Sequence, residues 1–455
     1  MRPSLFLLVS LLGILLLRIH AHAADDTGTG AAPAVTLDST FINGLIDEAR
    51  TNHPGLEAAR RRELSAGRAI EGVRLWPDPM VRFGGVVADA EGPNLMMEGD
   101  LRYEVQQGLP LFGKATAMRK EAVATAAVAA AATTYQFQIL RRSIVQALHQ
   151  LVLADETLRI LTDDLALLDR MTGLTRERQK AGLDSSLEIL RIENVRRKRQ
   201  QDVQTAQRQR EFEAVSLNRL LARPNDSPWP RITPPDIAPA IPLNEEIFNM
   251  GVRFEPRLQV MRREIEMADA GTEVTRRNRH PDVSLGLEGR QWSGTGQFRE
   301  GMVGVGLSIP WFNRNRYRAD IDRDRARASA ARADADDYER DVRRELFRVW
   351  TRIDAARREA MLYRDDILPR SELAVRTALA GWAAGRTMHL EVHEAHRMLV
   401  EARLMSSRAL AEQHQMIAEL VTCCGVAELD SLLMLGVEGT TGALPPPAQA
   451  PPASR

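Results

Sequence analysis

Residues 114–172 contain neither glycine nor proline, and with only Gly173 interrupting, the helical pattern runs to about residue 180. At about 1.5 Å of rise per residue, such a helix is roughly 100 Å long. A compact globule built from most of this 455-residue chain would have a radius of gyration of only about 22 Å. The helix cannot be enclosed by such a globule, so the molecule is elongated. A second run free of both residues, 314–368, ends at Pro369, where a kink is expected. Ile144, Leu148, Leu151, Leu158, Leu161, Leu165 and Leu168 recur at spacings of four, three and seven, the signature of a coiled-coil seam. The Ala-rich stretch Ala122 to Ala132 implies close helix approach.

The long helix occurs twice because the chain is a duplication. His53-Pro54-Gly55-Leu56 recurs as Glu255-Pro256-Arg257-Leu258, and Pro77-Asp78-Pro79 as Pro281-Asp282. Pro110-Leu111-Phe112-Gly113-Lys114 recurs as Pro310-Trp311-Phe312-Asn313-Arg314, and Gly182-x4-Leu187-Glu188 as Gly385-x4-Leu390-Glu391. The offsets are 202, 204, 200 and 203, so order and spacing persist through the unit. Between the copies, residues 223–243 carry seven prolines and form a linker that cannot be helical. The expected organisation is a first repeat over 24–222, with strands at about 80–88 and 101–109 and long helices at about 114–180 and 185–222. The second repeat covers 244–425, with strands at about 282–290 and 302–309 and long helices at about 314–383 and 387–424.

Composition narrows the class. Length alone suggests about three domains. Lys+Arg and Asp+Glu both total 61, so the excess of cations that binds nucleic acid is missing. Hydrophobic residues at 44% and charged residues at 27% support a core and exclude a disordered chain. The two cysteines, Cys423 and Cys424, are adjacent, which excludes a disulfide framework and a four-cysteine zinc site. Met1 to Ala23 reads as a secretory signal: Arg2, an apolar run from Ser4 to Leu17, then Ala21-His22-Ala23 for cleavage. No later run of 18 consecutive apolar residues is present, so no transmembrane helix is expected. The segment 426–455 ends in a Pro/Ala-rich tail that reads as disordered.

Four segments alternate with period two. In Val81-Arg82-Phe83 and in Leu101-Arg102-Tyr103-Glu104-Val105-Gln106, apolar residues fall on one face and charged or amide residues on the other. Val283-Ser284-Leu285-Gly286-Leu287-Glu288 and Val303-Gly304-Val305-Gly306-Leu307-Ser308-Ile309 do the same. This pattern fits half-buried hairpins or a membrane barrel. A closed membrane barrel needs at least about eight strands, and lipid forbids open edges. Four strands per chain therefore demand several chains, and three would supply twelve. The competing reading is a soluble periplasmic coiled-coil scaffold or adaptor whose small β-layer caps the helices.

The signal, the duplicated helix–strand–strand–helix unit, the proline-rich linker and the 100 Å helices together resemble the TolC family of outer-membrane efflux proteins, the outer membrane factors of tripartite RND-type pumps. Local matches are Pro77-Asp78-Pro79, the segment Gln107 to Lys114 entering the long helix, and the two Gly-x4-Leu-Glu turns, and the resemblance covers about residues 39–425. It implies a mainly α fold with a small β part: a homotrimeric, twelve-stranded outer-membrane β-barrel continuous with a long periplasmic α-helical barrel. It implies a passive exit duct of a Gram-negative cell rather than an enzyme, with a periplasmic adaptor, an inner-membrane pump and outer-membrane lipid as partners. The cargo would be metal cations or drugs.

The same resemblance assigns sites. Gly113, Lys114, Asn313 and Arg314 are strand–helix junctions, and Gly113 and Asn313 suit left-handed backbone. Ala181, Gly182, Leu183 and Ser185, with Gly385, Arg386 and Thr387, are the hairpin tips that would dock the adaptor. Glu391 and Glu394, six and nine residues after Gly385, would ring the closed periplasmic mouth together with Glu188, which lies six after Gly182. Threefold repetition of that acidic pair favours cations in a constriction. His389, His393 and His396 are of a metal-ligating type, but at 100° per residue they lie almost opposite the two glutamates, and the expected place is helix packing. No metal site and no cofactor is expected. Cys423 and Cys424 are expected to be buried thiols near a helix end.

Overall fold

The computed structural model describes residues 35–85, 88–89, 92–93, 100–182, 185–292 and 295–426. Residues 1–23, expected to be a signal peptide, Leu183 and the tail beyond Val426 lie outside the described residues.

The elements in chain order are β1 (Val35–Thr36), α1 (Ser39–Asn52), α2 (Pro54–Gly72), β2 (Met80–Gly85), β3 (Ala88–Asp89), β4 (Gly92–Pro93), β5 (Asp100–Leu109), α3 (Lys114–Lys180) and α4 (Ser186–Leu221). After the linker strand β6 (Ile232–Thr233) come α5 (Glu245–Phe254), α6 (Pro256–Arg277), β7 (Val283–Trp292), β8 (Phe298–Leu307), α7 (Arg314–Leu362), α8 (Leu368–Ala383) and α9 (His389–Cys423). The chain is mainly helical, and its described residues form one four-stranded sheet and two short two-stranded pairings, β1–β6 and β3–β4. The 67 residues of α3 give about 100 Å of continuous helix.

Each copy begins the same way. His53 accepts hydrogen bonds from the Gly55 and Leu56 N–H groups ahead of Pro54, and Glu255 accepts one from Leu258 ahead of Pro256. Proline at the first helical position removes a donor that has no partner there.

In the leucine seam, Ile144, Leu148, Leu151, Leu161 and Leu168 are buried, while Leu158 and Leu165 are only half-buried. Alanines make α3 the one described helix long and apolar enough to cross a membrane by length and composition, with a mean hydropathy of 1.2 over an 18-residue window. Small residues rather than long aliphatic ones supply this apolarity, as in the alanine-rich stretch Ala122 to Ala132. Only 6% of that window is buried within the protomer, and α3 as a whole packs along α2, α4, α6 and α9.

Helix α7 passes into α8 through a π-helical turn, Tyr363–Ile367, just before Pro369. Proline cannot donate to the carbonyl four residues back, and the widened turn lies where that hydrogen bond is lost.

The main sheet has the order β2-β5-β7-β8 and is antiparallel throughout. Its middle pair joins the two copies: β5 of the first lies along β7 of the second, from Asp100 opposite Trp292 to Leu109 opposite Val283. The outer strands β2 and β8 each keep one free edge within the protomer.

The linker is bound to the helices at mid-length. β1 pairs in parallel with β6. Gln413, fully buried, holds both the N–H and the carbonyl of Ala238 at 3.1 and 3.0 Å. Trp229 donates to Asn218 at 2.8 Å, and Trp350 donates to the Ile241 carbonyl at 2.8 Å. Two cores flank this belt, one around Leu148, Leu217 and Trp229, the other around Leu346, Ile353, Leu420 and Cys424. A third, Leu168, Met171, Ile192, Trp382 and Val392, lies near the turns α3–α4 and α8–α9.

Candidate functional site

The two helical turns are built alike and capped differently. Both α3 and α8 end on a glycine in the left-handed region, Gly182 at φ 72° and Gly385 at φ 71°. Gly182 N–H donates to the Gln179 carbonyl and Gly385 N–H to the Trp382 carbonyl, at 2.8 and 3.0 Å, so each glycine satisfies a carbonyl at its helix end. Ala181 is the last, non-helical residue before Gly182. In the second turn the Arg386 and Thr387 N–H groups both donate to the Gly381 carbonyl, and the Thr387 hydroxyl donates to the Ala378 carbonyl at 3.2 Å.

Ser185 then opens α4 with a closed capping box: its hydroxyl accepts from Glu188 N–H, and the Glu188 carboxylate accepts from Ser185 N–H at 3.1 Å. In the second copy Met388 stands at the equivalent position and offers no side-chain acceptor. Glu391 is therefore left exposed and unpaired among the described residues. Glu394, also exposed, pairs with Arg397 at 2.9 Å.

Between α4 and α9 runs a cleft of about 330 Å³ lined by Glu188, Ile192, Val195, Met388, His389 and His393. The structure thus brings Glu188 into the cleft while Glu391 and Glu394 face solvent. His389 is buried edge-on against Trp382, with ring centroids 5.8 Å apart. Arg178 covers the other contact of that tryptophan, 4.9 Å from its ring centroid. His396 is buried elsewhere, its Nδ1 3.0 Å from Asp164. The three histidines therefore serve different neighbours, and among the described residues no group of three or more His, Cys, Asp or Glu could hold a metal ion. Burial holds the His393 imidazole below its usual pKa.

Asp164 was not singled out by sequence pattern. It is 4% exposed, pairs with Arg199 of α4, and meets His396 of α9. In the turn-proximal half, this buried contact joins the α3–α4 hairpin to the α8–α9 hairpin. Its trace in the sequence is one aspartate beside the seam leucines Leu161, Leu165 and Leu168. Cys424 is fully buried and Cys423 half-buried, both free, and burial pushes both thiols up to about 12.

At the opposite end the strands meet the helices. Gly113 has φ 68° and opens α3 after a left-handed Phe112. Asn313 does not follow it: its φ is −104°, so only the first junction uses left-handed backbone. Lys114 reaches Asp282 at 2.6 Å, tying the first junction to the second copy, and Arg314 opens α7.

The sheet itself is two-faced. On one face Arg82 meets Glu104 at 3.5 Å, Arg102 meets Glu288 at 2.6 Å, and Arg290 meets Glu300 at 3.2 Å. On the other, Val81, Phe83, Leu287, Val303 and Val305 are 52 to 84% exposed. Large side chains left bare on a contiguous face mark a surface that something apolar covers.

Residues 254–426 match the model of the outer membrane efflux protein family. The chain is 22% identical over 411 residues to the cobalt-zinc-cadmium resistance protein CzcC of Cupriavidus metallidurans, covering 87% of this chain and 93% of that protein. Among solved structures it superimposes on the outer-membrane channel OprN with a TM-score of 0.74 at 20% identity, covering 89% of this chain and 98% of that one. The outer membrane protein VceC of Vibrio cholerae gives a TM-score of 0.71 at 17% identity, covering 85% and 97%.

Proposed function

We propose that the chain is an outer-membrane efflux protein of the TolC type, an exit duct reaching from the outer membrane into the periplasm, and that three copies form one channel that discharges metal cations. The observation that carries the trimer is the open sheet. Four strands with two free edges, apolar on one face and ion-paired on the other, cannot stand alone in lipid. Joining β8 of each protomer to β2 of the next gives twelve strands, with the Val81–Phe83–Val305 face toward lipid and the Arg102–Glu288 face toward an aqueous pore.

The duct is passive, and its driving force comes from an inner-membrane pump reached through a periplasmic adaptor. Ala181, Gly182, Ser185, Gly385, Arg386 and Thr387, with Leu183, form the adaptor-docking tips. Glu391 and Glu394 line the closed mouth, and Glu188 stands beside them in the α4–α9 cleft. Metal cargo is supported by CzcC, named for cobalt, zinc and cadmium resistance, and by the free carboxylate of Glu391.

The test is to express the full chain in a Gram-negative host lacking its own duct for a metal pump. Protein that needs detergent for extraction, sediments as a trimer and restores metal resistance meets the expectation. A water-soluble monomer would return the chain to the scaffold reading, and a membrane trimer that restores drug resistance alone would overturn the metal assignment.

A further inference from the structure

The second strand–helix junction differs from the first in charge. At the first junction Lys114 is neutralised by Asp282. At the second, a pocket of about 740 Å³ is lined by Arg276, Arg279, Arg314, Arg318 and Arg325, with Asp322 as its carboxylate. Asp322 is engaged by Arg325 at 3.5 Å, and Arg276 pairs with Glu273 at 3.2 Å. Arg279, Arg314 and Arg318 have no carboxylate partner among the described residues, and all three are exposed. Three unpaired guanidinium groups around one cavity form a field that attracts an anion, and the planar fork of each matches phosphate oxygens.

The pocket lies where the apolar strand ends. Val303, Val305, Leu307 and Ile309 form one exposed row along β8 and its extension, 49 to 72% exposed, matched on β7 by Leu287, Leu285 and Val283. The strand ladder stops at Val283–Leu307; beyond it Trp311, in the 3-10 turn Pro310–Asn313, and Arg279, in the turn after α6, both line the pocket. Trp311 and Phe312 are 61 and 87% exposed. Exposed aromatic residues ending an apolar band, followed at once by arginines, mark the depth of lipid headgroups.

We propose that this pocket binds the phosphate of an anionic phospholipid headgroup in the periplasmic leaflet of the outer membrane, with Arg279, Arg314 and Arg318 as its ligands and Trp311 beside the acyl–headgroup boundary. The site fixes the depth of the barrel at the point where β8 becomes α7. It rests on the outer-membrane reading above.

The test is native mass spectrometry of the full-length trimer in detergent with equimolar phosphatidylglycerol and phosphatidylcholine. Preferential retention of phosphatidylglycerol, up to one molecule per protomer, is expected. R279Q/R314Q/R318Q should weaken it by about fivefold per arginine removed, R279K/R314K/R318K should fall between that variant and the parent because lysine keeps the charge and loses the planar fork, and R61Q/R68Q on α2, outside the pocket lining, should leave it unchanged. Inorganic phosphate alone supplies the second arm. Thermal stabilisation by phosphate without phosphatidylglycerol retention would make free phosphate the occupant and overturn the lipid assignment. Equal retention of the two lipids, or a triple glutamine variant that binds like the parent, would overturn the site. Membrane fractionation and trimer mass of the same variants report on the duct separately, so a lost site with an intact membrane trimer leaves the duct reading standing.

Discussion

Glu188 and Glu391 hold the same third position in their helices, yet one carboxylate is engaged and the other free. The difference is Ser185 against Met388 at the preceding cap. Replacing Ser185 with Ala should therefore cost about 1 kcal/mol of helix-end stability, read as a lower unfolding temperature. E188A should act in the same direction, through stability. The E391A/E394A variant should leave unfolding unchanged and raise single-channel conductance, or abolish block by multivalent cations. Conductance and block identical to the parent would remove these two residues from the mouth. The repeat arithmetic located both glutamates, but could not say which was free, because that depends on which side chain the backbone presents at the cap.

A second residue-scale effect is electrostatic. His149 is 4% exposed and stacked on His414 at 5.0 Å. Burial, reinforced by the neighbouring His414, lowers its pKa to about 3, and burial lowers that of His414 as well. Both rings are thus neutral in the fold, while the unfolded chain takes up protons near pH 6.5. Stability is fully present above that pH and falls as acid is added, down to about pH 3. At pH 5 the His149 share of the loss is about 2 kcal/mol. Thermal unfolding at pH 7 and 5 measures it, and H149L should flatten the difference; an unchanged acid sensitivity would assign it elsewhere.

At the scale of elements, the helices were readable because a run without glycine or proline has few other outcomes, and the strands because alternation leaves only one face to bury. What stayed hidden was pairing across long sequence separation. The β5–β7 ladder, the β1–β6 clasp on the linker and the Asp164–Arg199–His396 contact each join segments that no local pattern relates. The last has a consequence for switching. Asp164 couples two helix hairpins from a buried position, and removing one partner of a buried charge pair leaves the other unsatisfied. D164N and H396A should both loosen α9 from α3 and raise the open fraction of channels in planar bilayers. If both variants open no more often than the parent, the contact is structural only. Close packing sets another limit: a Cβ on Gly251 of α5 would overlap the Leu346 side chain of α7. With Leu346 only 1% exposed, G251A should cost about 1–3 kcal/mol, measured by thermal unfolding.

At the scale of the whole molecule, the two sheet faces make opposite demands. Val305 and Met302 are neighbours on one edge strand, 72 and 51% exposed in the protomer. Val305 shares its face with Leu285 opposite, and Met302 faces Glu288 on the ion-paired side. A lysine at Val305 would place a charge in lipid, costing about 2–4 kcal/mol per protomer near the bilayer midplane, repeated at each symmetry-related position of the trimer. A lysine at Met302 would enter water beside a carboxylate. V305K should therefore lose outer-membrane trimer, scored by membrane fractionation and heat-modifiable migration, while M302K should assemble like the parent. Equal assembly of the two variants would mean that the bare row Val303–Val305–Leu307 is covered by protein rather than lipid, and the barrel would have to be built with the opposite face outward or not at all.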